Sequence, residues 1–182
     1  MPTFPTLPTA RLTSPFGWRT HPVTGAQSFH YGIDLAPEIP GTTGVPIFAA
    51  ATGVVKRVAT HENMGLYIYL EHSSDSYMTH YLHLASALVS VNDIVVEGQQ
   101  IGVMGKSGRV TGIHLDFGVS TQYPSVWYPA PGSYVDPQVY LAYAEDPPEN
   151  PEWPYEPGWD PEFEWDAAYN IMIRKYKSRR RR

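Results

Sequence analysis

Apolar and polar side chains alternate with a period of two along much of the first 140 residues. Leu66–His72 and Tyr77–Leu84 both alternate in this way, and a Ser-Ser-Asp-Ser turn separates them. Ala49–Ala59 precedes them with a valine-rich run. Period-two alternation and β-branched residues are typical of strands that bury one face. The pattern therefore predicts three strands that follow one another along the chain.

Short strands are also predicted downstream. Glycines interrupt apolar runs between residues 98 and 108, and Thr111–Val119 alternates again, which places His114 and Asp116 on one face of a strand. Closely spaced strands and turns favour a mainly β fold, with an antiparallel sheet or a partly open barrel, over a βαβ fold.

The composition changes after Tyr143. Residues 145–166 contain nine acids, six prolines and no Lys or Arg, and seven of the 13 Lys and Arg residues fall in 174–182. Prolines exclude a regular helix or a central strand here. We predict four parts: an extended N-terminal arm at 1–11, a β domain at 12–143, an acidic tether at 144–161, and a short helix with a basic tail at 162–182.

Composition and charge exclude several classes of protein. The 182 residues have a hydrophobic fraction of 42%, which is enough for one packed domain. No segment approaches the roughly 20 apolar residues of a membrane span, and residues 1–10 have no features of a signal peptide. The chain has no cysteine, so disulfides, thiolate metal sites and cysteine nucleophiles are excluded. The acidic β domain argues against nucleic acid as a partner.

Three segments carry candidate metal chemistry. In F-H-Y-G-I-D-L, His30 and Asp34 are four residues apart, with a glycine that lets the backbone bend between them. His83 lies in Y-L-H-L, and H-L-D provides His114 and Asp116. Imidazole nitrogens and carboxylate oxygens are zinc ligands in sites that keep one position open for water. A His and an Asp at this spacing also occur in surface loops without metal, so the spacing alone does not define a site.

Together these segments resemble peptidase family M23, the lysostaphin-like metallopeptidases that cut peptide cross-links in bacterial cell walls. S-P-F-G-W-R-T-H-P-V-T-G, H-Y-G-I-D, Y-L-H-L and H-L-D follow the order of the family's motifs, within a region from about Leu12 to Leu141. The resemblance implies a sheet floor with loops that wall a groove. It also implies one zinc ion held by His30 and Asp34, with His83 and His114 acting in catalysis.

The last motif departs from the family, in which the second His of H-x-H is the third zinc ligand. Here Asp116 stands at that position. Asp can ligate zinc through oxygen, but two carboxylates cancel the charge of the ion and weaken its effect on water. Three outcomes are open: an active zinc site of His30, Asp34 and Asp116, a site that prefers a harder metal, or a domain that has lost catalysis.

The resemblance predicts a zinc-dependent endopeptidase that hydrolyses peptide cross-links of peptidoglycan. His114 is the expected general base and His83 the expected stabiliser of the tetrahedral intermediate, or the reverse. Tyr31, Tyr81 and Tyr123 are candidates to line the groove. The alternative is a catalytically degenerate component of a virion with a structural or wall-binding role.

The absent signal and the distinctive C-terminus predict a location. An unsignalled wall peptidase with a docking tail fits a phage tail-associated enzyme in the virion, or one acting outside the cell at the wall. The tether and basic tail would then dock to a larger assembly. A secreted peptidase whose signal has been removed is a third interpretation.

The remaining histidines receive no role in the predicted site. His21 and His61 lie in polar turns, and His72 ends a strand. His80 is expected to face away from His83, because an odd number of residues separates them on one strand.

Overall fold

A computed structural model describes residues 2–20, 25–72, 77–121 and 134–142 of the chain. The predicted tether, C-terminal helix and basic tail lie outside these residues, as do His21 and Tyr123. The described part contains twelve strands and a short helix: β1 (Arg11–Ser14), β2 (Gly17–Thr20), β3 (Gln27–His30), β4 (Ile33–Ala36), β5 (Pro46–Phe48), β6 (Gly53–His61), β7 (Gly65–His72), β8 (Tyr77–Ala87), β9 (Ile94–Val95), β10 (Gln100–Met104), β11 (Leu115–Ser120), β12 (Tyr134–Val135) and α1 (Pro137–Ala142).

One antiparallel sheet of ten strands organises these elements. Its main path runs β1-β4-β11-β8-β7-β6-β9, with β10 pairing β5 and β8, and β12 pairing β11. Strands β2 and β3 form a separate hairpin. The prediction of a mainly β antiparallel fold is confirmed, and the sheet stays open rather than closing into a barrel. None of the helices in the described residues is long and apolar enough to cross a membrane.

The N-terminal arm lies against the sheet. The backbone N–H of Thr3 donates to the carbonyl of Ala50, and that of Phe48 donates to the carbonyl of Pro5. The Thr6 hydroxyl, which is buried, donates to the Pro46 carbonyl. These contacts attach the proline-containing arm to β5 and to Ala50 just after it.

The hydrophobic core follows the alternation of the strands. Leu115 and Phe117 are fully buried, whereas His114 and Asp116 face the groove, as the period-two pattern predicted. Tyr81 is also fully buried: its ring lies against Phe117, and its hydroxyl accepts a hydrogen bond from the Ala50 N–H and another from the Thr79 hydroxyl. The expectation that Tyr81 lines the groove is therefore wrong, because its side chain belongs to the core face of β8.

A β-bulge in β8 changes which histidines face the same side. Ile68 pairs with Tyr81, but Leu66 pairs with Leu84, so β8 contains one extra residue between these pairs. Within this interval His83 has a φ of 65°, in the left-handed region that few side chains adopt. The extra residue resets the alternation, and His80 and His83 both line the groove.

The turn residue Ser107 connects the segment after β10 to two neighbouring strands. Its hydroxyl accepts a hydrogen bond from the Leu66 N–H and donates one to the Leu84 carbonyl. Gly65 has a φ of +64°, and a Cβ at this position would overlap the backbone and side chain of Ser107. Glycine at position 65 therefore allows the turn to pack directly against β7.

We expect the substitution Gly65→Ala to destabilise the fold by about 3 kcal/mol or more, because steric overlap adds to backbone strain. Gly41→Ala is the matched control: its φ is +86°, and a Cβ there would meet nothing within 4 Å. Backbone strain alone should cost it about 1 kcal/mol. Urea unfolding of both variants measures the difference, and equal losses would show that Ser107 moves aside without cost.

Candidate metal centre

Two acidic side chains lie directly opposite each other on neighbouring strands. Asp34 of β4 pairs with Asp116 of β11 in the antiparallel register. Directly opposed residues project to the same face, and like charges at such positions repel. His30 ends β3 and reaches the same point from the hairpin. The sheet therefore concentrates negative charge where an imidazole nitrogen is also available.

The separations of the ligand atoms fit one bound ion. His30 Nε2 lies 3.2 Å from Asp34 Oδ1 and 3.5 Å from Asp116 Oδ2. Tetrahedral zinc with bonds of 2.0–2.2 Å places its ligand atoms about 3.3–3.6 Å apart. Nε2 of His30 is buried and forms no hydrogen bond in the described structure. A buried imidazole nitrogen beside two carboxylate oxygens at these separations is a donor set that a metal ion would fit.

A backbone contact fixes the orientation of each predicted site histidine. Nδ1 of His30 donates to the Pro15 carbonyl over 2.9 Å. His83 Nδ1 donates to the Ser107 carbonyl, and His114 Nδ1 donates to the Gly112 carbonyl, each over 3.0 Å. A carbonyl can only accept, so in the neutral form Nε2 of each ring carries the lone pair. The tautomer that a metal ligand or a proton acceptor needs is thus set by the backbone.

The charges in the centre act strongly on one another. Burial alone would lower the pKa of His30, but the carboxylates of Asp116 and Asp34 outweigh it and raise this pKa to about 10. For Asp116, burial favours the neutral form, but His30 and His80 outweigh burial and hold its pKa well below the usual range. Asp116 is therefore an anion, and it attracts a proton or a metal cation to the centre.

Arg19 is a member of the centre that the sequence did not reveal. One of its terminal guanidinium nitrogens lies 3.1 Å from Asp34 Oδ2 and also contacts the Ser14 hydroxyl. Arg19 belongs to the first of the four motifs, but spacing gives no sign of the carboxylate it meets. Its charge alters the expected balance, because a divalent ion, two carboxylates and one guanidinium sum to +1 rather than zero.

His80 is a second member of the centre that the sequence did not reveal. Its Nε2 lies 3.6 Å from Asp116 Oδ1, so the prediction that His80 faces away from the site is wrong. The cause is the bulge at His83, which breaks the odd-and-even rule for residues on one strand. A regular alternation in β8 would have carried His80 and His83 to opposite faces.

The metal centre lies in a groove of about 810 Å³. Tyr31 lines this groove, as expected, together with His61, Met64 and Arg109. The rings of His83 and His114 lie 4.8 Å apart beside the ligands, and His114 Nε2 is 3.7 Å from Asp34 Oδ1. The structure thus brings together all five predicted site residues: His30, Asp34, His83, His114 and Asp116.

Residues 28–137 match the family model described as Peptidase family M23, which covers more than half of the chain. The chain belongs to peptidase family M23. All five predicted site residues lie within the matched region. Family membership and the antiparallel sheet agree with the resemblance that the motifs indicated.

The relatives and solved structures that this M23 chain resembles include cell-wall and zinc peptidases. The peptidoglycan DD-endopeptidase ShyC of Vibrio cholerae is 43% identical over 99 residues, which cover 54% of this chain and 22% of that protein. A zinc containing peptidase from the same organism has a TM-score of 0.57 and 38% identity, over 64% of this chain and 35% of the other. The catalytic domain of lysostaphin from Staphylococcus simulans has a TM-score of 0.61 and 25% identity, over 73% of this chain and 92% of that domain.

The M23 chain spans about a quarter of the length of the curated relatives it matches. Their names therefore describe larger proteins. The shared M23 region accounts for the fold and contains the candidate ligands.

We expect zinc to stabilise the wild-type M23 domain by about 2.7 kcal/mol at a free concentration one hundred times its Kd. His30→Ala should abolish this gain, because it removes the buried nitrogen. His61→Ala, on the groove wall but outside the ligand group, is the control that should keep it. Calorimetry with zinc and with chelator measures both, and an equal shift in the His30 variant would place the ion elsewhere.

Proposed function

We propose that this protein is a zinc-dependent endopeptidase that hydrolyses peptide cross-links of bacterial peptidoglycan. The observation that carries the proposal is the convergence of His30, Asp34 and Asp116 at ligand distances beside two further histidines in an open groove. Family membership and the peptidoglycan DD-endopeptidases among its relatives support the substrate class.

His30, Asp34 and Asp116 would hold the ion. Zinc, when bound, lowers the pKa of a water molecule towards ~7 and polarises the scissile carbonyl. Arg19 would bind Oδ2 of Asp34, the oxygen that faces away from the ion, and its charge would make the centre more positive. This compensation favours an active site with altered ligation over a degenerate one, although two of the three ligands are carboxylates.

His114 is the proposed general base. Its Nε2 carries a lone pair in the neutral ring and lies next to the ligand oxygen of Asp34, at 3.7 Å. It would take a proton from the attacking water and then, as the imidazolium, deliver that proton to the leaving amide nitrogen. The bond from Nδ1 to the Gly112 carbonyl would hold the ring in place through both transfers.

His83 would begin the reaction as a neutral ring that orients the attacking water, rather than as a hydrogen-bond donor to the oxyanion of the tetrahedral intermediate. Burial is the largest influence on its pKa and lowers it, with the charge of Asp116 opposing and that of His114 assisting. A neutral His83 whose Nδ1 is bonded to Ser107 presents only a lone pair at Nε2. It can accept a hydrogen bond from water, and it can stabilise the tetrahedral intermediate only after gaining a proton.

The activity is tested by mass spectrometry of fragments released from purified peptidoglycans. We expect new peptide termini with zinc and none with chelator, and the fragment masses identify the bond that is cut. His114→Ala should lower the rate by about 10²–10⁴-fold, because it removes the general base while leaving the three ligands in place.

Lys56→Ala is the control for that experiment and should retain full activity, because Lys56 pairs with Glu71 and does not line the groove. No release from any wall type, by a folded protein that retains no metal, would contradict the proposal. The M23 fold would then act as a structural or wall-binding module, the alternative function predicted from the sequence.

The protonation state of His83 is tested by NMR titration of its ring in the folded protein. We expect a midpoint below the usual pKa of 6.5, so that His83 is neutral at pH 6.5 and above and gains its proton only as the pH falls further. A midpoint above 6.5 would show that the charge of Asp116 outweighs burial, and His83 would then begin the reaction as a donor.

Docking to a larger assembly and a location in a virion or at the cell wall stay predictions from the sequence. The predicted docking depends on residues 144–182, which lie outside the described part of the chain.

A further inference from the structure

The two oxygens of the Asp116 carboxylate face different partners. Oδ2 lies 3.5 Å from His30 Nε2, within the proposed ligand group. Oδ1 is buried, forms no hydrogen bond in the described structure, and lies 3.6 Å from His80 Nε2. A buried carboxylate oxygen that accepts no hydrogen bond lowers the stability of the fold. A small movement would bring the His80 nitrogen close enough to donate a hydrogen bond to this oxygen.

Two glycines make the space in which this pair lies. Gly118 is directly opposite His80 in the ladder between β11 and β8, and a Cβ at Gly118 would overlap the imidazole ring. A Cβ at Gly32 would overlap Asp116 Oδ1. His80 is only 6% exposed, and the rings of Tyr69 and Tyr134 flank it at centroid distances of 5.9 and 5.8 Å. The backbone, glycines and aromatic rings therefore hold the His80 ring against one oxygen of the carboxylate.

We propose that His80 is a positioning residue of the metal centre: its Nε2–H holds Oδ1 of Asp116, so that Oδ2 alone faces the ion. This inference rests on the proposed metal site. It deepens that site by explaining how an Asp can act as the third ligand. An aspartate that is free to rotate can offer either oxygen or both, whereas a hydrogen bond to Oδ1 leaves one defined ligand atom.

The second carboxylate of the centre has the same arrangement. Asp34 places Oδ1 at 3.2 Å from His30 Nε2, and its Oδ2 contacts Arg19. Each carboxylate thus has one oxygen towards the ligand group and the other towards a nitrogen donor outside it. His80 is not a member of the group of ligand atoms within 4.8 Å of one another, which favours action through Asp116 over direct coordination.

The test measures zinc affinity by competition with a chromophoric chelator. His80→Phe fills the aromatic slot but removes the donor, and we expect it to weaken zinc binding by about 10–100-fold. His80→Gln keeps an N–H donor and should recover much of this loss. His72→Phe is the matched control: His72 is also a buried histidine of the sheet, bonded to Thr52 and Thr79, and its loss should leave the affinity unchanged.

A double-mutant cycle shows whether His80 acts through Asp116. In an Asp116→His background the carboxylate is gone, so adding His80→Phe should change zinc affinity by less than about 3-fold. An undiminished effect in that background would overturn the inference, as would wild-type affinity in the single His80→Phe variant. X-ray absorption of the zinc-loaded proteins should count the same number of imidazole ligands with and without His80. A loss of one imidazole would instead make His80 a direct ligand.

The outcomes separate this inference from the proposed function. Failure of the wild-type protein to bind zinc would contradict the metal site itself. Zinc binding by the wild type that His80→Phe leaves unaltered would contradict only the role of His80. Thermal unfolding of the metal-free variants checks that each one is folded. If His80→Phe does not fold, His80→Gln is the second variant on which the test is made.

Discussion

The direct pairing of Asp34 with Asp116 across two neighbouring strands is the constraint on which the rest of the site depends. Two carboxylates in register repel each other, and they are mostly buried. Nitrogen-bearing side chains from three separate elements lie beside the carboxylates and offset this repulsion: Arg19 from β2, His30 from β3 and His80 from β8. A divalent ion in the middle would complete the compensation. The pairing of the two carboxylates in the sheet thus favours a cation at the position of the proposed metal ion.

The bulge in β8 decides which histidines face the groove. His83 adopts a left-handed backbone conformation, which is costly for a side chain with a Cβ. The benefit is that one strand presents both His80 and His83 to the groove while Tyr81 and Leu84 stay in the core. Local strain in the backbone therefore lets one strand present both His80, the proposed support of Asp116, and His83, a proposed catalytic histidine.

Much of the fold could be predicted from the sequence because alternation reports directly on burial. The strands at Leu66–His72 and Tyr77–Leu84, and the two faces of the strand carrying Asp116, followed from period two alone. The candidate ligands and the proposed proton-transfer residues lie within short motifs, so the order of these motifs along the chain was enough to select the candidates.

The supporting contacts could not be predicted, because they join residues that no local pattern relates. Arg19 meets Asp34 only because a hairpin folds over β4. Regular alternation predicts the wrong face for His80 relative to His83, because a single bulge residue reverses the parity of the strand. The burial of Tyr81 could not be predicted either, because the sequence near a site histidine does not show which side of the strand an aromatic residue faces. These contacts are set by tertiary register, which the spacing of residues does not encode.

The hydrogen bonds of Ser107 have a consequence for molecular recognition. Its hydroxyl connects β7 to β8, and its carbonyl holds the His83 ring, so the turn beside the groove is attached to the sheet at several points. The turn leads into Arg109 and Val110, which line the groove, so its hydrogen bonds restrain this wall, and little conformational entropy would be lost there on binding. Discrimination at this wall would then come from the shape and the polar contacts of a preorganised surface, rather than from a loop that closes over its ligand.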